Sequence, residues 1–192
     1  MGADGGHCVA TPAKLRSRDS VSKLFVVKGK NTMTAQASDT PLARLKALGL
    51  ALPVAAAPAA NYVPFSRVGA LLFVSGQLPM GPNGIDPAHW GKLGAGVSLD
   101  AGQAAARVAA LNVLAQANAA VGELARLRAV RLGGYVNCAP DFAQVPQVVN
   151  GASDLFAAVL GENGKHARFA VGVAQLPLDA AVEVEAIFEI LG

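Results

Sequence analysis

The stretch His166-Ala-Arg168-Phe-Ala-Val-Gly-Val-Ala-Gln-Leu-Pro177-Leu-Asp-Ala-Ala-Val-Glu183-Val-Glu185 sets an arginine at the mouth of an apolar strand, then a proline-containing turn, then a second strand. In that second strand Val182, Val184 and Ala186 alternate with Glu183 and Glu185, the period of two of a half-covered strand. The two acids therefore share a face. The same residues also carry a chemical pattern, since guanidinium offers a planar fork that matches a carboxylate, and a nearby Glu carries protons or orients a water. Small-molecule acid chemistry is the first expectation.

Working outward, Tyr62–Arg67 and Ala70–Gln77 read as the strands of a hairpin separated by Val68-Gly69. Leu71-Leu-Phe-Val74 is apolar on both faces, which predicts a central strand. Gly81 to Gly96 is a loop rich in turn formers that holds His89 and the one tryptophan, Trp90, and a long loop in a compact domain is often functional. Ser98 reads as the N-cap of a helix with Asp100 in its first turn, and Ala104, Val108, Leu111, Ala115 and Ala119 as its inner stripe. Leu127–Val136 is a strand, 142–160 a helix interrupted around Pro146 and Gly151, and Phe169–Ala174 and Ala181–Ile190 the last strands. A short helix starts at Ser38-Asp39-Thr40-Pro41 with Leu42, Leu45 and Leu48 on one side. The main order, β-β-α-β-α-β-β, predicts an α+β two-layer sandwich: a mixed β-sheet with two helices on one face.

At 192 residues the chain holds one full core, assigned to residues 38–192, after a disordered or leader-like extension over 1–37. The formal charge of +3 belongs to that extension. Residues 1–32 hold six Lys/Arg against Asp4 and Asp19, whereas the rest holds ten basic and eleven acidic residues. The body thus lacks a stripe able to neutralise phosphates, and no nucleic-acid partner is expected.

Cys8 and Cys138 form no paired framework, which fits free thiols in a reducing, cytoplasmic setting, and Cys138 reads as a small buried apolar residue. Arg16, Ser17, Arg18, Ser20 and Ser22 leave an organellar leader as a second option, and Met33 as an alternative start. Leu48 to Ala60 is broken by Pro53 and Pro58 and is too short to span a bilayer, so no membrane partner is expected. His7, His89 and His166 lack metal-ligand spacing, so no metal is expected. His166 reads as a loop-exposed side chain, and Trp90 as a seal between loop and body.

Phe73-Val-Ser75-Gly-Gln-Leu-Pro79, with Ala167-Arg168, Val171, Leu176-Pro177 and Val182-Glu-Val-Glu-Ala-Ile187, resembles the RidA (YjgF-like) family of reactive-intermediate imine deaminases, also called L-PSP endoribonuclease-like. The likeness covers roughly residues 60–190. It implies a chorismate-mutase-like fold and a homotrimer with active sites in the clefts between subunits. It further implies hydrolysis of enamine and imine acids such as 2-aminoacrylate to 2-keto acids and ammonia, with no cofactor. On the family's pattern Arg168 takes the carboxylate-binding position, Glu183 that of the water-associated acid, Ser75 that of the Ser-Gly-Gln serine, with Gly76 beside it, and Tyr62 that of the pocket tyrosine.

The chain departs from that pattern where Ala170 replaces a frequent Cys. The Gly134–Phe142 and Asn150–Phe156 stretches and the Gly81–Gly96 loop also point to a longer subgroup, which leaves the substrate open. A non-catalytic trimer that binds a small carboxylate would use the same residues. An ion pair of Arg168 with Glu183 or Glu185 would explain them with no ligand at all. Ser75-Gly76 also fits close strand packing. Leu71, Phe73, Val182, Val184 and Ala186 together predict an apolar sheet face that one chain's helices leave bare, hence a cyclic assembly. Ribonuclease activity ranks below these readings, because the body has neither a basic groove with aromatics nor a His pair.

Overall fold

A computed structural model describes residues 39–57 and 61–192, and the extension assigned to 1–37, with its charge cluster, Cys8 and Met33, lies outside the described residues. The first helix, α1 (Pro41–Ala47), begins as the sequence predicts: Thr40 Oγ1 accepts from the Ala43 N–H at 3.2 Å and Pro41 takes the first turn. Of Leu42, Leu45 and the C-cap Leu48, only Leu45 is buried. Strands β1 (Phe65–Val68) and β2 (Leu71–Gln77) form the expected hairpin, with Gly69 at φ +59° in the two-residue turn. The strand over 62–67 starts later than predicted, leaving Tyr62 ahead of it.

Residues 80–97 are more ordered than the expected loop. They make two small ribbons, β3 (Met80–Gly81) with β4 (Gly84–Ile85) and β5 (Lys92–Leu93) with β6 (Gly96–Val97). Asn112 ties the first ribbon to the following helix by donating to the Leu78 and Met80 carbonyls, each at 3.0 Å. Then come α2 (Leu99–Val121), β7 (Leu127–Asn137), α3 (Val145–Leu160), β8 (Ala167–Val173) and β9 (Val182–Ile190). The main sheet runs β1-β2-β9-β7-β8, antiparallel except for the β7/β8 pair, and α2 and α3 pack on one face. This is the predicted mixed-sheet α+β sandwich. Among the described residues no helix is long and apolar enough to cross a membrane.

Three details correct the sequence reading. Strand β9, not β2, is central, because both hairpin strands lie to one side of it. The apolar set of β9, Val182, Val184 and Ala186, is buried beneath the helices, so it contributes nothing to a bare face. Leu71 and Phe73, 39% and 40% exposed, do face the helix-free side, together with Glu183, Glu185 and Ile187.

The third concerns α2, whose caps are as expected: Ser98 Oγ accepts from Ala101 N–H at 3.2 Å, and Gly122 closes the helix at φ +83°. Its buried residues are Gly102, Ala105, Ala106, Ala109, Ala110 and the run Val113 to Ala117; of the expected stripe only Ala115 is among them, while Ala104 and Ala119 face solvent and Val108 and Leu111 are only partly covered. In a helix this rich in alanine almost every position is apolar, so the 3.6-residue period carries little phase information. Tertiary contact sets the phase. Gly151 of α3 meets the Gln103 carbonyl so closely that a Cβ there would sit 2.1 Å from its oxygen, and Gly134 leaves similar room for Val149 over β7. Pro146 and Gly151 thus mark the start and the contact point of a continuous helix, which begins at Val145 rather than Phe142.

The connection from β8 to β9 crosses the end of β7. There the fully buried Asn137 accepts from Lys92 Nζ and donates to Asp179 Oδ1 at 3.0 Å, while its N–H donates to the Ala181 carbonyl at 2.9 Å. Leu178 and Asp179, at φ +56° and +53°, make the crossing tight. A buried amide with its donors and acceptor satisfied pins a turn that non-glycine residues otherwise resist.

Candidate functional site

Between Val74 and Gln77 the register of β2 on β9 slips, so Ser75 and Gly76 form a β-bulge opposite Glu185. Gln77 holds the bulge by donating its amide to the Ser75 and Gly76 carbonyls at 3.0 and 3.1 Å. The Ser75 hydroxyl donates to the Val63 carbonyl at 2.8 Å, and the Ser75 N–H to that of Pro64 at 3.0 Å. This brings the segment carrying Tyr62, 51% exposed, alongside Ser75. Gly76 makes room for a side chain and not for backbone: a Cβ there would lie 2.1 Å from Glu183 Oε1. Three predicted residues, Ser75, Gly76 and Glu183, thus gather at the bulge, with Tyr62 one residue before the backbone that Ser75 holds.

Burial raises the Glu183 carboxyl above its ordinary range, and the neighbouring Glu185 charge raises it further. Neither acid has an ion-pair partner among the described residues. A folded-state value above the unfolded one contributes stability below the unfolded pKa, and that contribution is lost as pH rises through the folded value. Glu183→Gln should therefore melt higher than wild type near neutral pH, with the gain vanishing in acid. Melting curves between about pH 4 and pH 8 test this, since a gain equal at both ends would rule out the charge as its cause.

Arg168 lies elsewhere. It pairs in register with Leu132 on the edge strand β8, on the helix side of the sheet, whereas Glu183 pairs with Tyr135 on the other side. Its Nη1 donates to Asn150 Oδ1 at 2.8 Å and Ser153 Oγ at 3.0 Å, both on α3. It forms no ion pair with Glu183 or Glu185, and one chain by itself does not bring Arg168 to the Glu183 locus. His166 is not loop-exposed but half-buried, with Nε2 3.1 Å from Ser153 Oγ and Nδ1 2.6 Å from the Gly164 carbonyl oxygen.

Beside Glu183 the helix-free face carries a group the sequence reading missed. The Phe169 ring covers Gly133, meets Tyr135 edge-on with centroids 5.4 Å apart, and lies 4.8 Å beneath the Arg131 guanidinium. Burial and the Glu185 charge push the Tyr135 phenol up, against the pull of Arg131. The only advance signal was Gly133-Gly134 in a strand, which marks close approach.

Cys138 is half-buried, its sulfur against Gly172, and the exposed Trp90 bridges to Ala180 by its backbone. Among the described residues no three His, Cys, Asp or Glu side chains converge as metal ligands would. A groove of about 410 Å³ lined by Pro79, Pro82, Ile85, Asp86, His89 and Val108 contains none of the predicted residues.

The mixed five-stranded sheet, its two covering helices and the Ser-Gly bulge facing an acid define a class, and the chain belongs to it: residues 42–190 match the family described as "YjgF/chorismate mutase-like, putative endoribonuclease", the RidA/YjgF-like family. Protein TCP17 of Trypanosoma cruzi is 51% identical over 160 residues, spanning 82% of this chain and 99% of that protein. The crystal structure of Atu1372 from Agrobacterium tumefaciens, a protein of unknown function, shares 49% identity with a TM-score of 0.74 over 79% of this chain and 93% of its own. A Shewanella oneidensis structure described as a putative endoribonuclease shares 39% identity with a TM-score of 0.75, over 79% of this chain and 99% of its own.

Proposed function

We propose that the protein is a hydrolytic deaminase of enamine and imine acids of the 2-aminoacrylate type, and that it works as a homotrimer whose protomers share each site. The observation that carries this reading is the Glu183 carboxyl, raised in proton affinity and seated over Gly76 beside the Ser75 bulge. A carboxyl with affinity tuned upward is suited to exchange protons with water and amine near neutral pH. The substrate carboxylate goes to Arg168 of a neighbouring protomer, since within one chain that guanidinium lies on the other side of the sheet.

Water adds to the C=N carbon while Glu183 takes one of its protons. The carboxyl returns that proton to the nitrogen of the carbinolamine; as the C–N bond breaks, the carbinol hydroxyl gives its proton to the regenerated Glu183 carboxylate, the 2-keto acid forms, and the departing ammonia takes that proton away as ammonium. An enamine first takes a proton at carbon to reach the imine. Ser75 and Tyr62 supply hydroxyls at the edge of this locus.

The test supplies purified protein with 2-aminoacrylate generated in place by a serine dehydratase. Pyruvate should appear faster than without the protein, light scattering should give a trimer mass, and Glu183→Gln should slow turnover by about 10²-fold or more. Carboxylate binding without turnover in wild type would instead assign the chain to the non-catalytic carboxylate-binding reading. A monomer mass would remove the shared site.

A further inference from the structure

We propose that Asn150, Ser153 and His166 form a bracket that fixes the Arg168 guanidinium by one nitrogen and leaves its Nε–Nη2 edge for a planar anion, which makes them positioning residues for carboxylate recognition. The proposal rests on the reading of Arg168 as the carboxylate-binding group.

The hydrogen count gives the direction of every bond. Nη1 carries two hydrogens, and its two acceptors, Asn150 Oδ1 and Ser153 Oγ, use both. Those acceptors are three residues apart on α3, the spacing that puts two side chains on one helix face. Behind them, the Gly164 carbonyl can only accept, so the proton of a neutral His166 ring sits on Nδ1 and its Nε2 becomes an acceptor. Ser153 then gives its single hydroxyl proton to Nε2 and turns its lone pairs to Arg168. Donation runs in one direction, from Arg168 through Ser153 to His166, and from His166 to Gly164.

The base of this chain is rigid. The His166 ring packs edge-on against the buried Phe156 with centroids 5.7 Å apart, and Gly164 lies so near the Phe156 carbonyl that a Cβ would be 2.2 Å from its oxygen. At the other end Arg168 is exposed. Its Nε–H and one Nη2–H are parallel, the geometry that matches two carboxylate oxygens, and they have no partner among the described residues. With Nη1 engaged, side-on binding of one carboxylate is the geometry the bracket selects.

Full-length protein and its variants are compared for KM and kcat with 2-aminoacrylate, and for Kd of pyruvate, the product acid. Ser153→Ala and His166→Leu should each raise KM and the pyruvate Kd by about 10-fold while kcat stays within about 3-fold. Ser153→Thr keeps the hydroxyl, and His166→Gln puts an acceptor near the place of Nε2, so both should recover most of the affinity. That split, with rescue and unchanged melting temperature, is not what loss of packing produces. Variants that bind like wild type, or that lose kcat and affinity together without rescue, overturn the bracket while leaving the deaminase reading intact. Wild-type protein that neither binds pyruvate nor turns over 2-aminoacrylate overturns both.

Discussion

Arg168→Ala is expected to lower kcat/KM for 2-aminoacrylate by about 10²- to 10³-fold while the trimer persists. Truncating one partner of a close charged hydrogen-bonded pair costs about 2–5 kcal/mol, and each 1.4 kcal/mol is a factor of ten. Little of that loss will come from the fold, because the side chain is exposed and its acceptors, Asn150 and Ser153, lie where water can replace it. Arg168→Lys is the sharper control: it keeps a charge but has no pair of parallel N–H groups, so most of the loss should remain. Pyruvate release from the serine dehydratase-coupled assay reads both variants. Rates equal to wild type would remove the arginine from the reaction.

Gly151→Ala is expected to cost about 3 kcal/mol or more of stability through one added methyl group. The new Cβ would lie 2.1 Å from the Gln103 carbonyl oxygen and 2.8 Å from its carbon, both main-chain atoms that no rotamer change can move aside. Relief requires α2 and α3 to separate along the face where the alanines of α2 allow close contact. At about 2–4 °C per kcal/mol for a domain of this size, Tm should fall by roughly 6–12 °C. Gly49→Ala provides the contrast, since that position has φ +71° but nothing within 4 Å, so strain alone should cost about 1 kcal/mol. A Gly151→Ala variant melting like Gly49→Ala would show that the helices yield.

The order of the main elements along the chain was readable, though not their order in the sheet, because its signals are local. Alternation in 182–190, the glycine turn at Gly69 and the Ser98 cap each act within a few residues, and each appears where expected. The phase of α2 was not readable, since it depends on which alanines meet α3 and not on which residues are apolar. The site divides the same way. Ser75-Gly76 was visible as a motif, but that its hollow holds a carboxylate and not a neighbouring backbone follows only from the register slip on β9. Arg168 and Glu183 look like neighbours joined by one turn. They part because that turn carries the chain over β7, so their strands are not adjacent and their side chains emerge on opposite sides. Asn150, Ser153 and His166 were each in plain view, yet no local rule links a helix pair to a histidine more than ten residues later.

Strand β8 forms one rim of the sheet, and the outward amides and carbonyls of that rim meet no further strand among the described residues. Such a border is a template for strand addition, and its outer positions, with Val171 uncovered, do little to discourage it. If copies associate as proposed, substitutions that weaken that association should consequently appear as precipitation during expression, before any soluble single-copy species can be collected.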